Sequence, residues 1–380
     1  MDKERFCYKP KSLELGDKIG LVNPVGAMNP RYAETTVPRV ISFLERRGYQ
    51  IPEQRGINRG RLTEGIQDPD ILADYYDPYL TSEEEIRLNP LTMRRRSFLT
   101  FKDSSPQERA QLFNQAVATC KAIFPLVGNR FGLDITPYVD YDKFREQRPI
   151  FVTFSAASAF LFYLHRETDT VVFYGPHIHF LVGCENEYTR SAFWDFLSWR
   201  YPQFVLRNIY SDPDVLFPPE ERIPLFAYKE DQSPAYTLGR LMPIFLFSLE
   251  RVIEQESTNF DPEGKILMVE ADERSYDDCF KALSFIHQRT DLSRLSALVL
   301  ASFVAFKPGS SNLRDELLNP ANAKEFTLRV RKLLKDNIPV IYGFPMGHSK
   351  YKLTIPMGIQ AELNIETGDI TLKESPFSNT

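Results

Sequence analysis

Two α/β domains are the architecture this sequence predicts, and three observations carry the reading. Short apolar runs alternate with helical patterns across residues 1–200, and the alternation starts afresh across residues 237–380. Between them, residues 201–236 hold Pro202, Pro213, Pro218, Pro219, Pro224 and Pro234, the composition of a linker or irregular crossing. Strand–helix alternation is the pattern of a sheet covered by helices, and 380 residues suffice for two such cores.

The first domain opens at Lys18–Pro24, a buried strand ended by a proline turn. Arg31–Arg47 has helical spacing, with Val37, Val40, Ile41 and Leu44 on one face and Gly48 closing it. From about residue 52 to 100 the chain is polar, bears prolines and is acidic at Ser82–Glu85, so it reads as an insertion with some helix. Ser105 and Pro106 open a helix that runs through Thr119. Ala122–Val127 is a short apolar strand entering the turn Gly128–Gly132, Pro149–Phe154 is the next strand, and Ser155–Leu164 is a helix. Thr170–Tyr174 is a further strand, ended by Gly175 and Pro176. In the second domain Gly264–Glu270 is a strand and Ser275–Gln288 a helix, then Leu295–Ser302 a strand and Ala323–Lys335 a helix. Ile338–Tyr342 is a strand that precedes a histidine turn and a short strand before Gly358, and Ile365–Asp369 reads as a tight hairpin.

Composition narrows the function. Apolar content of 43% and charged content of 26% are those of an ordinary folded protein. A formal charge of −5 gives no footprint for nucleic acid, and Arg94–Arg96 is a short run that suits a solvated surface. The N-terminus has no apolar signal core, and no stretch is long and apolar enough for a membrane span. Cys7, Cys120, Cys184 and Cys279 have neither disulfide-framework nor metal-ligand spacing, so reduced thiols and a cytoplasmic setting are expected.

Three residues have the placement that chemistry needs. Ser155 falls where a strand meets a helix, beside backbone N–H groups that can stabilise an oxyanion; the same position suits an N-cap serine. Glu270 ends an apolar strand, from which a carboxylate can orient an imidazole, although a loop charge reads the same way and Asp272 and Glu273 compete. His348 follows a strand on a glycine-bearing turn, suited to proton exchange near neutral pH or to a purely structural backbone bond. Of the other histidines, His165 sits at a helix end, His287 on an amphipathic helix, and His177 and His179 form a pair without a third ligand at metal spacing. No metal and no cofactor is expected.

Serine at a strand–helix elbow, then carboxylate, then histidine, each after a strand, suits nucleophilic acyl transfer. At these residues the sequence resembles the LD-carboxypeptidase family of serine peptidases, which includes the microcin-C immunity peptidases. Leu13–Pro24 resembles the family's opening, Gln107–Phe124 its helix and strand before a glycine-rich turn, and Ile266–Glu270 its glutamate strand. Phe154–Ala156 falls where the family has Tyr-Ser-Asp, and Tyr174–Pro176 where it has His-Gly-Pro. Pro339–His348 with Ile355–Gly358 matches its histidine segment. The sequence departs from the family at Ala156, at Asn129 and Arg130 within a reduced glycine turn, and at Leu238–Arg240 in place of Gly-Gly-Asn.

The resemblance implies an N-terminal flavodoxin-like or amidotransferase-like parallel sheet and a smaller swivelling-type C-terminal α/β domain. It also implies a Ser155–Glu270–His348 triad at their interface, with the N–H groups of Ala156 and of the Gly128–Asn129 turn facing the oxyanion. Arg130 is put forward to hold a substrate carboxylate. The expected activity is hydrolysis of an amide near the free carboxyl terminus of a small peptide or peptide-like substrate, by a homodimer. The alternatives are an amide-forming acyl transferase using the same triad, or a silent peptide-binding homologue.

Overall fold

The computed structural model describes residues 7–25, 30–52, 105–128, 130–182, 186–200, 204–212, 224–229, 235–255, 260–272, 274–301, 303, 319–335 and 338–378. The expected insertion beyond residue 52, and Asn129 and Glu273, lie outside them.

In chain order the first part runs β1 (Ile19–Leu21), α1 (Pro30–Arg46), α2 (Pro106–Thr119), β2 (Ala122–Phe124), α3 (Tyr141–Gln147) and β3 (Ile150–Thr153). It continues with α4 (Ser158–Thr168), β4 (Val172–Tyr174), α5 (Ile178–Val182) and α6 (Glu187–Leu197). The second part runs β5 (Val205–Leu206), β6 (Phe226–Tyr228), β7 (Tyr236–Phe245), α7 (Leu246–Gln255), β8 (Lys265–Glu270) and α8 (Tyr276–Thr290). It ends with β9 (Ala297–Leu300), α9 (Pro320–Leu333), β10 (Val340–Tyr342), β11 (Ile355–Met357), β12 (Gln360–Asn364) and β13 (Ile370–Leu372).

Local chemistry fixes several boundaries. At α2, Ser105 accepts from the Glu108 N–H while Glu108 reaches back to the Ser105 N–H, a capping box with Pro106 in the first turn. Ser275 starts α8 and Asn319 starts α9 by the same kind of side-chain cap. The expected strand Ala122–Val127 stops pairing at Phe124, because the amides of Leu126 and Val127 turn to Asn23 Oδ1, at 2.9 and 3.2 Å. The hairpin at 365–369 is present: β12 and β13 pair antiparallel around it.

The first sheet has the order β1-β2-β3-β4-β11, parallel except for β11. The second has the order β5-β13-β12-β7-β8-β9-β10-β6, with β7 to β10 parallel and the flanking pairs antiparallel. The mixed α/β fold with parallel sheets is therefore present, and among the described residues the second sheet is the richer in strands. Residues 205–206 and 226–228, within the proline-rich stretch, form that sheet's two edge strands. Strands β1–β4 and β9–β11 are buried throughout, and the core around α2 and β3 is aromatic: Phe113 packs on Phe144, Phe151 and Phe160 with ring centroids 5.2–6.0 Å apart. Parallel strands all end on the same side, so each sheet offers a row of carboxyl ends, where α/β proteins place their sites.

Candidate active site

The carboxyl ends of β3, β4, β8 and β10 supply the site. Beyond β3 the chain passes through Phe154 in extended conformation to Ser155, which has φ of 62°. A serine held in the left-handed region stores about 1–3 kcal/mol of backbone strain, which the surroundings must hold in place. Here α4 begins at Ser158, one turn later than the sequence pattern suggests, because residues 155–157 form a tighter 3-10 turn. Three bonds clamp that turn. Ser158 Oγ donates to the Ser155 carbonyl at 2.7 Å, Ser248 Oγ to the Ala156 carbonyl at 3.0 Å, and the Ala157 N–H to the Gly128 carbonyl at 3.2 Å. Gly128 presses so close that a Cβ there would lie 2.7 Å from the His177 ring and 2.8 Å from the Ala157 Cβ. Only glycine fits.

Glu270 is the last residue of β8 and is fully buried. A buried carboxylate needs a partner for each oxygen. Oε2 lies 2.9 Å from His348 Nδ1, and Oε1 accepts the Tyr174 hydroxyl proton. Tyr174 ends β4 and also accepts the Ser155 N–H at 3.3 Å, so the elbow and the carboxylate share one phenol.

His348 follows β10 on a turn through Gly347, whose φ is 71°. Its ring lies between Phe154 and Phe245, with centroids 5.0 and 6.0 Å away. Burial disfavours its protonated form, but the Glu270 carboxylate, supported by Asp272, outweighs that and holds its pKa above the usual histidine value. Asp272 lies at the other ring nitrogen, its Oδ2 3.6 Å from Nε2, so the carboxylates that compete in sequence face different atoms of the imidazole. Behind the elbow, His177 Nε2 meets Thr153 Oγ1 at 2.9 Å, and its ring packs 4.5 Å from Phe154. Burial, with His179 and His348 nearby, drives its pKa well below the ordinary value, and burial brings that of His179 down to about 4. Among the described residues no group of three His, Cys, Asp or Glu side chains is placed to hold a metal ion.

The structure thus brings Ser155, Ala156, Gly128, Glu270 and His348 into one cluster. Arg130 is exposed, its amide bonded to the Val25 carbonyl at 3.0 Å. Leu238–Arg240 lies in the first half of β7, away from the site: Arg240 Nη1 donates to the Gly358 carbonyl at 2.9 Å. The end of β7 that reaches His348 is Phe245. Tyr174, placed in the sequence only at the family's His-Gly-Pro, and Phe245 are neighbours to which the sequence assigned no role. Their signal was position alone, an aromatic residue as the last of an apolar strand.

Comparison with known proteins identifies the family. The description of the LD-carboxypeptidase N-terminal domain matches residues 79–175, and that of the C-terminal domain residues 245–363. The chain belongs to the LD-carboxypeptidase family of serine peptidases. It is 23% identical over 294 residues to the Microcin C7 self-immunity protein MccF of Escherichia coli, covering 73% of this chain and 81% of that one. It is 22% identical over 366 residues to a Bacillus subtilis (strain 168) protein named "Probable murein peptide carboxypeptidase", covering 94% and 92%. The solved structure of MccF in complex with aspartyl sulfamoyl adenosine shares the fold, with a TM-score of 0.67, 20% identity and coverage of 97% and 99%. No helix among the described residues is long and apolar enough to cross a membrane.

Proposed function

We propose that this peptidase cleaves an amide near the free carboxyl terminus of a small peptide or peptide-like substrate, through an acyl-enzyme on Ser155. The observation that carries the reading is the bond of His348 Nδ1 to the fully buried Glu270 Oε2 at 2.9 Å, beside a serine held at φ 62°. Glu270 holds the proton on Nδ1 and so leaves the Nε2 lone pair as the base. Nε2 takes the Ser155 proton as Oγ bonds to the substrate carbonyl carbon. It then gives that proton to the departing amine as the C–N bond breaks, and water repeats the sequence in reverse to release the acid. Two amides of the elbow are already used, that of Ser155 by Tyr174 and that of Ala157 by Gly128. The Ala156 N–H between them is the elbow donor assigned to the oxyanion, with the Gly128–Asn129 turn as the second side of the hole. Arg130 remains the residue put forward for the substrate carboxylate.

The relatives' names suggest the substrates to try: murein-type peptides with an L,D bond, and aminoacyl sulfamoyl nucleosides such as the one bound by MccF. On whichever is turned over, Ser155→Ala is expected to lower kcat by about 10³-fold or more, with circular dichroism and Tm unchanged. Turnover at the wild-type rate in that variant would remove the mechanism.

A further inference from the structure

We propose that Tyr174 is a positioning residue, whose hydroxyl ties the Ser155 amide to the Glu270 carboxylate and sets how firmly that carboxylate holds His348. The inference rests on the catalytic reading above and adds a residue to it.

The direction of each bond is fixed by chemistry. An amide N–H only donates, so the phenol oxygen accepts from Ser155. An ionised carboxylate only accepts, so the single phenol proton goes to Glu270 Oε1. Burial, and next the negative Glu270, keep the Tyr174 pKa well above its usual value, so the hydroxyl remains a donor over any working pH. Tyr174 is fully buried at the end of β4, and its ring packs edge-on to Phe154 at 6.5 Å. It therefore spans the junction: Ser155 follows a strand of the first sheet and Glu270 ends a strand of the second.

Two consequences follow. The phenol anchors the strained elbow through the Ser155 N–H. It also takes a share of the Glu270 charge, which would otherwise fall wholly on the imidazole. The charged and titratable groups around that imidazole are Glu270 at Nδ1, Asp272 at Nε2, and Lys352 and His177 further off. None of these replaces a hydroxyl at Oε1.

The test is Tyr174→Phe, which keeps the ring and deletes the bond. The midpoint of His348, read by NMR on ¹⁵N-histidine-labelled protein without substrate, should move up by about half a unit or more. The acid limb of kcat/KM should move with it, kcat should fall about 10- to 100-fold, and KM should stay within about twofold. If Tyr174→Phe does not fold, 3-fluorotyrosine at position 174 keeps the hydroxyl and strengthens the donor, and the midpoint should move down instead. A midpoint that stays put in the variant that folds, or moves opposite to the stated direction, overturns the proposal. The NMR titration needs no turnover, so it stands apart from the Ser155→Ala result: wild-type activity there would remove the mechanism while the titration still reports on the Tyr174 bond.

Discussion

His348 carries the pH dependence expected of the site. Its pKa is raised because, although burial opposes the charge, Glu270 and Asp272 favour it more strongly. The base must be neutral to accept the serine proton, so kcat/KM should climb with pH through a midpoint above about 6.5 and level off beyond it. A midpoint below that value would contradict the assignment. Stability has the opposite sign. A histidine whose folded pKa exceeds its unfolded one contributes stability that is complete below the unfolded value and is lost as pH rises through the folded one. The stability difference between wild type and His348→Asn, measured by urea unfolding, should therefore shrink from pH 5.5 to 8.5. Taking the difference cancels His179, and most of His177, whose depression comes first from burial. Ser155, Glu270 and His348 stood out in the sequence only in combination and through the family resemblance, because each alone suits an N-cap, a loop charge or a turn histidine as well. The role of Tyr174 was not legible: it stands where the family has the histidine of His-Gly-Pro, but a tyrosine closing the run Val171–Phe173 otherwise reads as core. Its hydroxyl becomes functional only through Glu270, 96 positions away.

At the level of elements, the geometry depends on turns that place side chains at strand ends. Gly347 shows how tight these are: a Cβ there would sit 2.3 Å from the Glu270 carboxyl carbon, at a φ of 71°. Gly264 supplies a control, since its φ is 66° but nothing lies within 4 Å of its Cβ position. Gly264→Ala should cost about 1 kcal/mol from backbone strain alone and leave kcat intact. Gly347→Ala should cost more, and should lower kcat at least about 10-fold by displacing the carboxylate. Equal effects of the two substitutions on kcat, read beside their unfolding curves, would show that Glu270 is not held by this contact. Most strands announced themselves as apolar runs between turn residues. The long strand β7 did not, because Gly239 and Pro243 punctuate it. The structure accommodates Pro243 without losing a ladder bond. The Leu241 N–H still reaches the Ile359 carbonyl at 2.9 Å, and β12 pairs only with Tyr236–Arg240, so the proline ring meets the sheet beyond that neighbour. Leu238–Arg240 lies near the start of β7, whereas Phe245, its last residue, is the one beside His348.

For the whole molecule, the question is what keeps two sheets aligned to the accuracy a shared site needs. The chain itself supplies a strap. β11 lies between β10 and β12 in sequence, both in the second sheet, yet pairs antiparallel with β4 in the first, from Ile355↔Tyr174 to Met357↔Val172. Gly175 continues the contact, with room for no side chain: a Cβ there would lie 2.8 Å from Thr354 Oγ1. Around the elbow the sheets are stitched again, where the Phe245 N–H donates to Ser158 Oγ at 3.0 Å and Ser248 to Ala156. Separating the sheets would strip a strand from the first and leave buried amides without acceptors, at about 1–3 kcal/mol for each. Neither sheet should then persist alone, and unfolding should be one cooperative transition. Of the chain's two tryptophans, Trp194 in α6 packs on Phe43, Tyr49, Phe124 and Phe193, while Trp199 packs also on Phe204 and Phe377, so in a Trp199→Phe variant the fluorescence reports on the first domain while far-ultraviolet circular dichroism reports on both. The urea midpoints from the two probes should coincide. A circular dichroism curve with a second step outside the fluorescence transition would show that the halves unfold separately. The alignment of Ser155 with Glu270 would then rest on the Tyr174 hydroxyl and the elbow contacts rather than on the strap.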